Sequence, residues 1–363
     1  MKAKLLIICQ SQYGYQIDYY NYCKYLKDSF DITYLCYDRG REMFQEEQIN
    51  VIYLKNKRNK HFSKIYFIKK IIETIKKENF DIAFIYWFIG SSLVPILTFM
   101  DKTKCVLDLR SGSVSNSFFK RLFINFTYIF ETFFFKYLTV ISEDLRIYLR
   151  IPKRKTKVLP LGSDVISTSI KDFSIQDKYK LLYIGTFNNR NIQETIYGLN
   201  ILLNENHQLL NKIEYTIIGT GSDSCVRYLK EIVNKLNLTN IIDFKGYIKS
   251  THLLPFFENA NIGISFVPVT SYFNIQPPTK TYEYLQAGIP VLATDTKANR
   301  AIINSKNGLL VNDNRKDFAA QLKRLIEHFN SYNSVTIKET VKSNTWFIIT
   351  KDLTIYLNKI LSL

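Results

Sequence analysis

Short apolar runs alternate along the chain with stretches in which apolar residues recur at helical spacing. Uninterrupted apolar runs are typical of parallel strands, because helices cover both faces of such a sheet. The first part of the chain therefore predicts a doubly wound α/β domain. Its strands are expected at residues 4–9, 32–37, 51–54, 82–86, 104–107, 138–141 and 157–159.

A polar stretch at residues 163–178 has no clear period, and we expect the interdomain linker there. Beyond it the alternation restarts, with strands expected at 180–185, 214–219, 241–245, 262–266, 290–293 and 308–311. The chain thus predicts two Rossmann-like domains, residues 1–165 and 166–340, whose strand ends face a central cleft. Residues 341–363 are predicted to form a helix that packs back on the first domain.

The cysteine pattern and the apolar segments indicate the cellular compartment that we expect for the protein. The five cysteines are odd in number, widely spaced and never in a CxxC pair, which argues against disulfides and zinc and for a reducing cytoplasm. The apolar run at 5–9 is too short for a signal peptide. Residues 82–100 carry no charge, but Gly90 and Pro95 interrupt them, so we predict a strand and a helix rather than a membrane span.

The charge is strongly positive. The formal net charge is +17, and residues 1–165 hold 27 basic against 16 acidic residues, a net +11. Such a field attracts an anionic membrane face or a phosphorylated substrate, and without a recognisable nucleic-acid-binding module we do not expect nucleic acid as a partner. The aromatic run at 118–137 could lie on a membrane, but it is apolar nearly all round, and we predict a core helix.

The most informative motif is Pro-Thr-Lys-Thr-Tyr-Glu-Tyr-Leu-Gln-Ala-Gly-Ile-Pro-Val at 278–291, a helix start that leads through Gly288 into a strand. A helix N-terminus offers free N–H groups and a positive dipole end, and Lys280 adds a full charge, so the place favours a diphosphate. The motif resembles that of glycosyltransferase family 4, which has the GT-B fold. The resemblance implies that Glu283 accepts hydrogen bonds from the nucleotide ribose, while Thr279, Lys280 and Thr281 face the diphosphate. Alternatively, Lys280 and Glu283 form a solvated i,i+3 pair.

A second motif, Tyr-Ile-Gly-Thr-Phe-Asn-Asn-Arg at 183–190, carries a loop from Gly185 and Thr186 to Arg190. The resemblance makes Arg190 a diphosphate ligand, and the chemistry agrees, because a guanidinium can meet the negative charge that grows on a leaving diphosphate. An exposed loop arginine is the alternative. Two positions depart from the family pattern: Thr186 replaces a basic residue, and Ile275 stands where relatives carry a second acid.

Weaker signals complete the donor side. Gly219 and Gly221 form a strand-to-helix turn that could bring backbone N–H groups to a nucleotide, or could simply need glycine for a tight turn. Gly246 and Tyr247 resemble the family's next strand end and could form a wall near the base.

In the first domain, the resemblance places acceptor or cleft contacts on the loops that follow two buried strands. Gly14 would let the backbone approach a ligand, although an ordinary loop glycine explains it too. Asp108, Arg110 and Ser111 could hold a phosphate or an acceptor hydroxyl, or Asp108 and Arg110 could pair with each other.

The resemblance implies transfer of a sugar from a UDP- or GDP-sugar to a glycan or lipid-linked acceptor in surface polysaccharide synthesis. It implies retention of configuration, no bound metal and no cofactor, with Arg190, Lys280 and Glu283 as the catalytic set. We expect a cytoplasmic protein, with contact to the anionic inner membrane face suggested by the basic first half. The departures at Thr186 and Ile275 keep open a catalytically silent GT-B subunit that binds a partner enzyme or a glycan. A nucleotide-sugar epimerase would need cleft acid/base residues that the sequence does not reveal.

Overall fold

The computed structural model describes residues 2–55, 60–115, 117–164, 166–174 and 177–363. It divides into two units, which we call the N-terminal unit (Met1–Gly162 with Trp346–Leu363) and the C-terminal unit (Ser163–Thr345). Residue 165, at the predicted domain boundary, lies outside the described residues.

The N-terminal unit is built on a seven-stranded parallel sheet in the order β3-β2-β1-β4-β5-β6-β7. Its strands are β1 (Ala3–Ile8), β2 (Phe30–Asp38), β3 (Ile49–Lys55), β4 (Ile82–Tyr86), β5 (Lys104–Leu109), β6 (Tyr137–Val140) and β7 (Thr156–Val158). The last four residues of β1 are fully buried, as expected for a strand covered on both faces. The helices are α1 (Ile17–Leu26), α2 (Lys60–Glu78), α3 (Leu93–Leu97), α4 (Phe118–Thr132) and α5 (Glu143–Tyr148).

The C-terminal unit repeats the plan with a six-stranded parallel sheet in the order β10-β9-β8-β11-β12-β13. Its strands are β8 (Tyr179–Ile184), β9 (Ile213–Ile218), β10 (Ile242–Gly246), β11 (Ile262–Ser265), β12 (Val291–Thr294) and β13 (Gly308–Val311). Its helices are α6 (Ile192–Glu205), α7 (Asp223–Lys235), α8 (Leu254–Asn259), α9 (Thr279–Gln286), α10 (Lys297–Arg300), α11 (Arg315–Glu327) and α12 (Ser334–Glu339). The two predicted doubly wound sheets are thereby confirmed.

Each sheet has a point where the strand order reverses. In the C-terminal unit β8 lies between β9 and β11, so the connections from these strands leave on opposite sides. Such a switch point opens a crevice at the carboxyl end of the strand, and that is where the loop carrying Arg190 begins. In the N-terminal unit β1 has the same position between β2 and β4.

The last helix, α13 (Trp346–Leu361), belongs to the N-terminal unit. Trp346 is 2% exposed, and its ring lies 5.7 Å from that of Tyr22 on α1. The Lys104 ammonium at the start of β5 donates to the carbonyl of Ile360 at 2.7 Å. Apolar packing and a helix C-terminal cap therefore hold the chain end against the first sheet.

Two apolar segments behave differently. Residues 82–100 form β4 and α3, as predicted, and within the described residues no helix is both long and apolar enough to span a bilayer. The core-helix prediction for 118–137 is wrong, because most aromatic side chains of α4 point to solvent. A sequence that is apolar nearly all round does not reveal which face packs inward.

Candidate active site

A pocket of about 330 Å³ lies at the carboxyl end of β8, beside the start of α9. Most of its lining comes from the two predicted motifs. Its walls are Ile184, Gly185, Thr186, Arg190, Val267, Phe273, Gln276, Pro277, Pro278, Thr279, Lys280 and Glu283. The structure therefore brings Arg190, Lys280 and Glu283 around one hollow.

The start of α9 is exposed to this pocket. Pro278 precedes the helix in an extended conformation, with φ −71° and ψ 130°, so the helix begins at Thr279. Pro278, the residue at the N-cap position, makes no side-chain hydrogen bond to this end of the helix. Its first-turn amide groups and the positive end of the helix dipole suit an anion in the pocket.

Lys280 is the most unusual group of the site. Its side chain is buried, and Nζ lies 3.6 Å from the centroid of the Tyr183 ring. Within the part of the chain that the structure describes, Nζ has no hydrogen-bond partner. Burial, reinforced by Arg190, holds the pKa of Lys280 well below its usual range, although Glu283 opposes this. The alternative of a solvated Lys280–Glu283 pair is therefore wrong for Lys280.

Arg190 enters the pocket from a loop shaped by asparagines. Asn189 and Asn191 have φ of +57° and +52°, in the left-handed region that asparagine tolerates better than most residues. The Arg190 guanidinium stacks over the ring of Phe273, with Cζ 4.2 Å from the centroid. Burial lowers the pKa of Arg190, which remains a cation because its usual value is so high.

Glu283 follows one turn after the helix start and is partly exposed. Burial raises the pKa of its carboxyl to about 7, and the nearby Lys280 acts in the opposite direction. A carboxyl that titrates near neutral pH beside a buried ammonium without a partner among the described residues is typical of a site prepared for a ligand.

Of the two departures from the family pattern, Thr186 lines this pocket and Ile275 lies between two lining residues along the chain. Thr186 is exposed. Ile275 ends a short 3-10 turn, Phe273–Ile275, and its neighbours Phe273 and Gln276 both contribute to the wall. The Gln276 amide nitrogen is buried and unpartnered within the described chain, a polar group that sequence reasoning missed.

Other predicted donor residues have packing roles. Thr279 lines the pocket, whereas the Thr281 hydroxyl faces inward, 2.7 Å from that of Ser265 and 3.2 Å from Asn299 Oδ1. Gly219 has φ +142°, and a Cβ there would lie 1.7 Å from the Gly185 carbonyl oxygen, so two backbones approach too closely for any side chain. The structure places three further residues outside the pocket lining: Gly221, Gly246 and Tyr247.

In the N-terminal unit the structure builds a buried charge network. Arg110 Nε donates to Asp18 at 2.6 Å and its Nη1 to the Leu159 carbonyl at 2.6 Å, while Asp108 lies 3.9 Å from Nε. Asp108 also accepts from the Tyr19 hydroxyl and the Thr139 hydroxyl, and burial raises its pKa to about 6.

The network includes residues that sequence reasoning missed. Asp18 lies 92 residues from Arg110 along the chain, so no local spacing reveals the pair. Of the other predicted acceptor-side positions, Ser111 is half-buried after β5. Gly14 has φ +89°, and its missing Cβ leaves room for the Phe44 ring.

Two parallel doubly wound sheets define the GT-B class of fold, and comparison with solved structures agrees. HepE from Anabaena with UDP is 15% identical, with a TM-score of 0.74 over 99% of this chain and 100% of that one. Sucrose-phosphate synthase from Thermosynechococcus elongatus is 15% identical, with a TM-score of 0.78 over 99% and 100%. The apo lipopolysaccharide outer core galactosyltransferase WaaB is 16% identical, with a TM-score of 0.72 over 98% and 99%.

A family model matches part of the C-terminal unit. Residues 178–328 match the model of the family described as Glycosyl transferases group 1. The matched segment thus places a glycosyltransferase group 1 domain in the C-terminal unit, and the chain has the GT-B fold. The family 4 resemblance is consistent with this match. No curated protein sequence matches the chain significantly.

Proposed function

We propose that this protein transfers a sugar from a nucleoside diphosphate sugar to a glycan or lipid-linked acceptor, with the donor in the pocket of the C-terminal unit. One observation carries the proposal: Arg190, Lys280 and Glu283 line the same hollow, beside the N-terminus of α9. The pocket combines two cations, a helix dipole and a carboxylate, which is the set that a nucleoside diphosphate can satisfy.

The proposed chemistry concerns the leaving diphosphate. When the bond between sugar and phosphate breaks, negative charge grows on the diphosphate, and the Arg190 guanidinium can meet it bidentately. Lys280 Nζ, unpartnered among the described residues, would gain its hydrogen bonds and its charge partner at the same moment. Glu283 would accept hydrogen bonds from the ribose hydroxyls, and Gly185, Thr186 and Thr279 would complete the wall around the phosphates.

Finer features of the reaction belong to the same proposal. HepE has been crystallised with UDP and with UDP-glucose, which makes UDP-glucose the first donor to test. We propose retention of configuration without a metal ion, and a role in surface polysaccharide synthesis at the cytoplasmic membrane face. The N-terminal unit would bind the acceptor, with half-buried Ser111 as a contact.

Nucleotide binding is the direct test. In a thermal-shift screen against UDP, GDP and ADP, a ligand at one hundred times its dissociation constant adds about 2.7 kcal/mol to the free energy of unfolding. We expect one of these nucleotides to raise the melting temperature. Isothermal titration calorimetry would then give its affinity.

Arg190→Ala should lower turnover, measured as release of nucleoside diphosphate, by about 10²–10³-fold, because a charge-stabilising donor is lost. The matched control is Arg324→Ala, which removes an exposed arginine on α11 and should leave turnover unchanged. Full activity of the Arg190 variant would refute the assignment.

A catalytically silent subunit is the second candidate, favoured by Thr186 and Ile275 at positions where relatives carry charged residues. It predicts a well-folded protein that binds none of the three nucleotides. Calorimetric binding of UDP or GDP with measurable turnover would exclude it.

A further inference from the structure

Helix α4 turns Asn125, Tyr128 and Glu131 toward the protein and most of its phenylalanine side chains to solvent, the reverse of an ordinary surface helix. Glu131 is buried and accepts from the backbone N–H groups of Gly90 at 2.5 Å and Ser92 at 2.6 Å. Asn125 accepts from the Ser113 N–H, and Tyr128 stacks on Trp87 with ring centroids 3.6 Å apart. These contacts fix the rotation of the helix about its own axis.

The outward stripe is strongly apolar. Its members recur at spacings of three and four, and each is between 47% and 80% exposed. They are Phe119, Leu122, Phe123, Phe126, Phe130 and Phe133. Isolated exposed apolar residues are ordinary, whereas a continuous row of this kind is typical of an interaction surface.

The stripe continues onto the end of α3. The rings of Phe126, Phe130 and Phe134 follow one another with centroids 6.5 and 5.2 Å apart. Phe134 and Phe99 then line one hollow of about 230 Å³, and Phe99 and Met100 are 79% and 85% exposed. We name the stripe together with Phe99, Met100 and Phe134 the aromatic face.

The charges around the aromatic face are basic. Residues 117–137 contain one acid, Glu131, which is buried, whereas Lys120 near one end of α4 and Lys136 beyond the other are exposed. At the end of α3, Lys102 is exposed beside the half-buried Asp101. An anionic surface therefore complements both ends of the face.

We propose that the aromatic face docks onto a membrane surface that contains anionic lipids, with α4 lying in the plane of the interface. Phenylalanine rings would enter the boundary between headgroups and acyl chains, and Lys120 and Lys136 would remain at the phosphates. A second copy of this chain fits less well. A two-fold interface along the stripe would face lysines of the two copies against each other, without an exposed acid in the segment.

The docking surface lies in the N-terminal unit and does not depend on the donor pocket. It goes beyond the proposed reaction by naming the part of the fold that would bring the protein to a lipid-linked acceptor. Vesicle binding and nucleotide binding can be measured separately, so the failure of either proposal leaves the other standing.

The test is cosedimentation of the full chain with vesicles of phosphatidylcholine alone and of phosphatidylcholine mixed with phosphatidylglycerol. We expect binding to the mixed vesicles, and weaker binding to the neutral ones. The variant Phe123→Ser/Phe126→Ser/Phe130→Ser should lower the partition coefficient by about tenfold for each ring removed. Because these side chains are exposed, its melting temperature should stay close to that of the wild type.

Two controls make the test specific. Phe347→Ser/Ile355→Ser removes side chains on α13 that are 62% and 61% exposed, and should bind like the wild type. Lys120→Glu/Lys136→Glu should lose the preference for phosphatidylglycerol. Equal vesicle binding by the triple serine variant and the wild type would overturn the proposal. The proposal would also be overturned if the wild type formed a dimer that binds no vesicles and the triple serine variant were a monomer.

Discussion

The buried position of Lys280 lowers the stability of the folded protein. A buried donor without a partner costs about 1–3 kcal/mol, and the folded protein also lowers the affinity of this amine for its proton. Packing against the Tyr183 ring recovers part of that cost through a cation–π contact. A buried amine of this kind is a candidate for ligand binding rather than a source of stability.

Lys280→Met keeps the length of the side chain and removes its charge. We expect the free energy of unfolding of the protein without UDP to rise by about 1–3 kcal/mol, since the buried ammonium that lacks a partner among the described residues is removed. The stabilisation by UDP should disappear in the same variant. Denaturant titration with and without UDP would measure both effects.

The control for this variant is Lys338→Met. The Lys338 ammonium donates to the carbonyls of Ser167 and Ser169, both at 2.8 Å, so its loss should lower stability and leave UDP binding intact. A destabilised Lys280→Met protein that still binds UDP would contradict this interpretation of the site.

The raised pKa of Glu283, about 7, gives a pH signature. The folded protein holds this proton more tightly than the unfolded chain, so the stabilisation is complete below the ordinary glutamate pKa of 4.5 and is lost as pH rises through 7. Ligand affinity should instead rise with pH, because the ribose hydroxyls donate hydrogen bonds to the ionised carboxylate. Affinity for UDP-glucose, whose diester phosphates do not titrate here, should rise by up to about tenfold per pH unit below pH 7.

Calorimetry across this pH range would measure the dependence, and Glu283→Gln should flatten it while weakening binding. If the affinity of the wild type for UDP-glucose did not change between about pH 5 and 8, the Glu283 carboxylate would not be a nucleotide contact.

At the scale of elements, strands and turns follow from local sequence, and helix faces do not. The uninterrupted run Leu5–Cys9 predicts a buried parallel strand because only such a strand needs no polar face. The Ile-Ile-Gly sequence that ends at Gly219 is equally local, yet whether that glycine binds a ligand or admits a neighbouring backbone depends on where Gly185 lies. Both faces of α4 are aromatic, so the loop whose N–H groups donate to Glu131 decides the rotation of the helix, and that loop lies about 40 residues away.

The candidate site likewise contains residues that local sequence predicts and residues that it does not. Arg190, Lys280 and Glu283 are predictable because each lies in a motif with its own physical reason, a loop after a buried strand or the first turns of a helix. Asp18 and Gln276 are not, because their roles arise from partners or hollows that only folding creates.

For the whole molecule, the N-terminal unit depends on a helix from the far end of the chain. The chain leaves this unit after Gly162 and returns at Trp346, and a Cβ on Gly162 would lie 2.8 Å from the Trp346 ring. The residues at which the chain leaves and re-enters this unit therefore pack against each other. The sequence between them folds as the C-terminal unit with its own core.

Trp346→Ala should therefore destabilise the N-terminal unit alone. Truncating a fully buried tryptophan costs about 3–5 kcal/mol, and here it also removes the ring contact with Tyr22 on α1. Ile355→Ala, at a side chain of the same helix that is 61% exposed, should change stability by less than about 0.5 kcal/mol. Calorimetric unfolding would show the difference in stability between the two variants.

UDP affinity, measured well below the unfolding transition, should be the same in both variants, because the pocket residues all lie in the C-terminal unit. If Trp346→Ala lowered UDP affinity in fully folded protein, nucleotide binding would depend on the N-terminal unit as well.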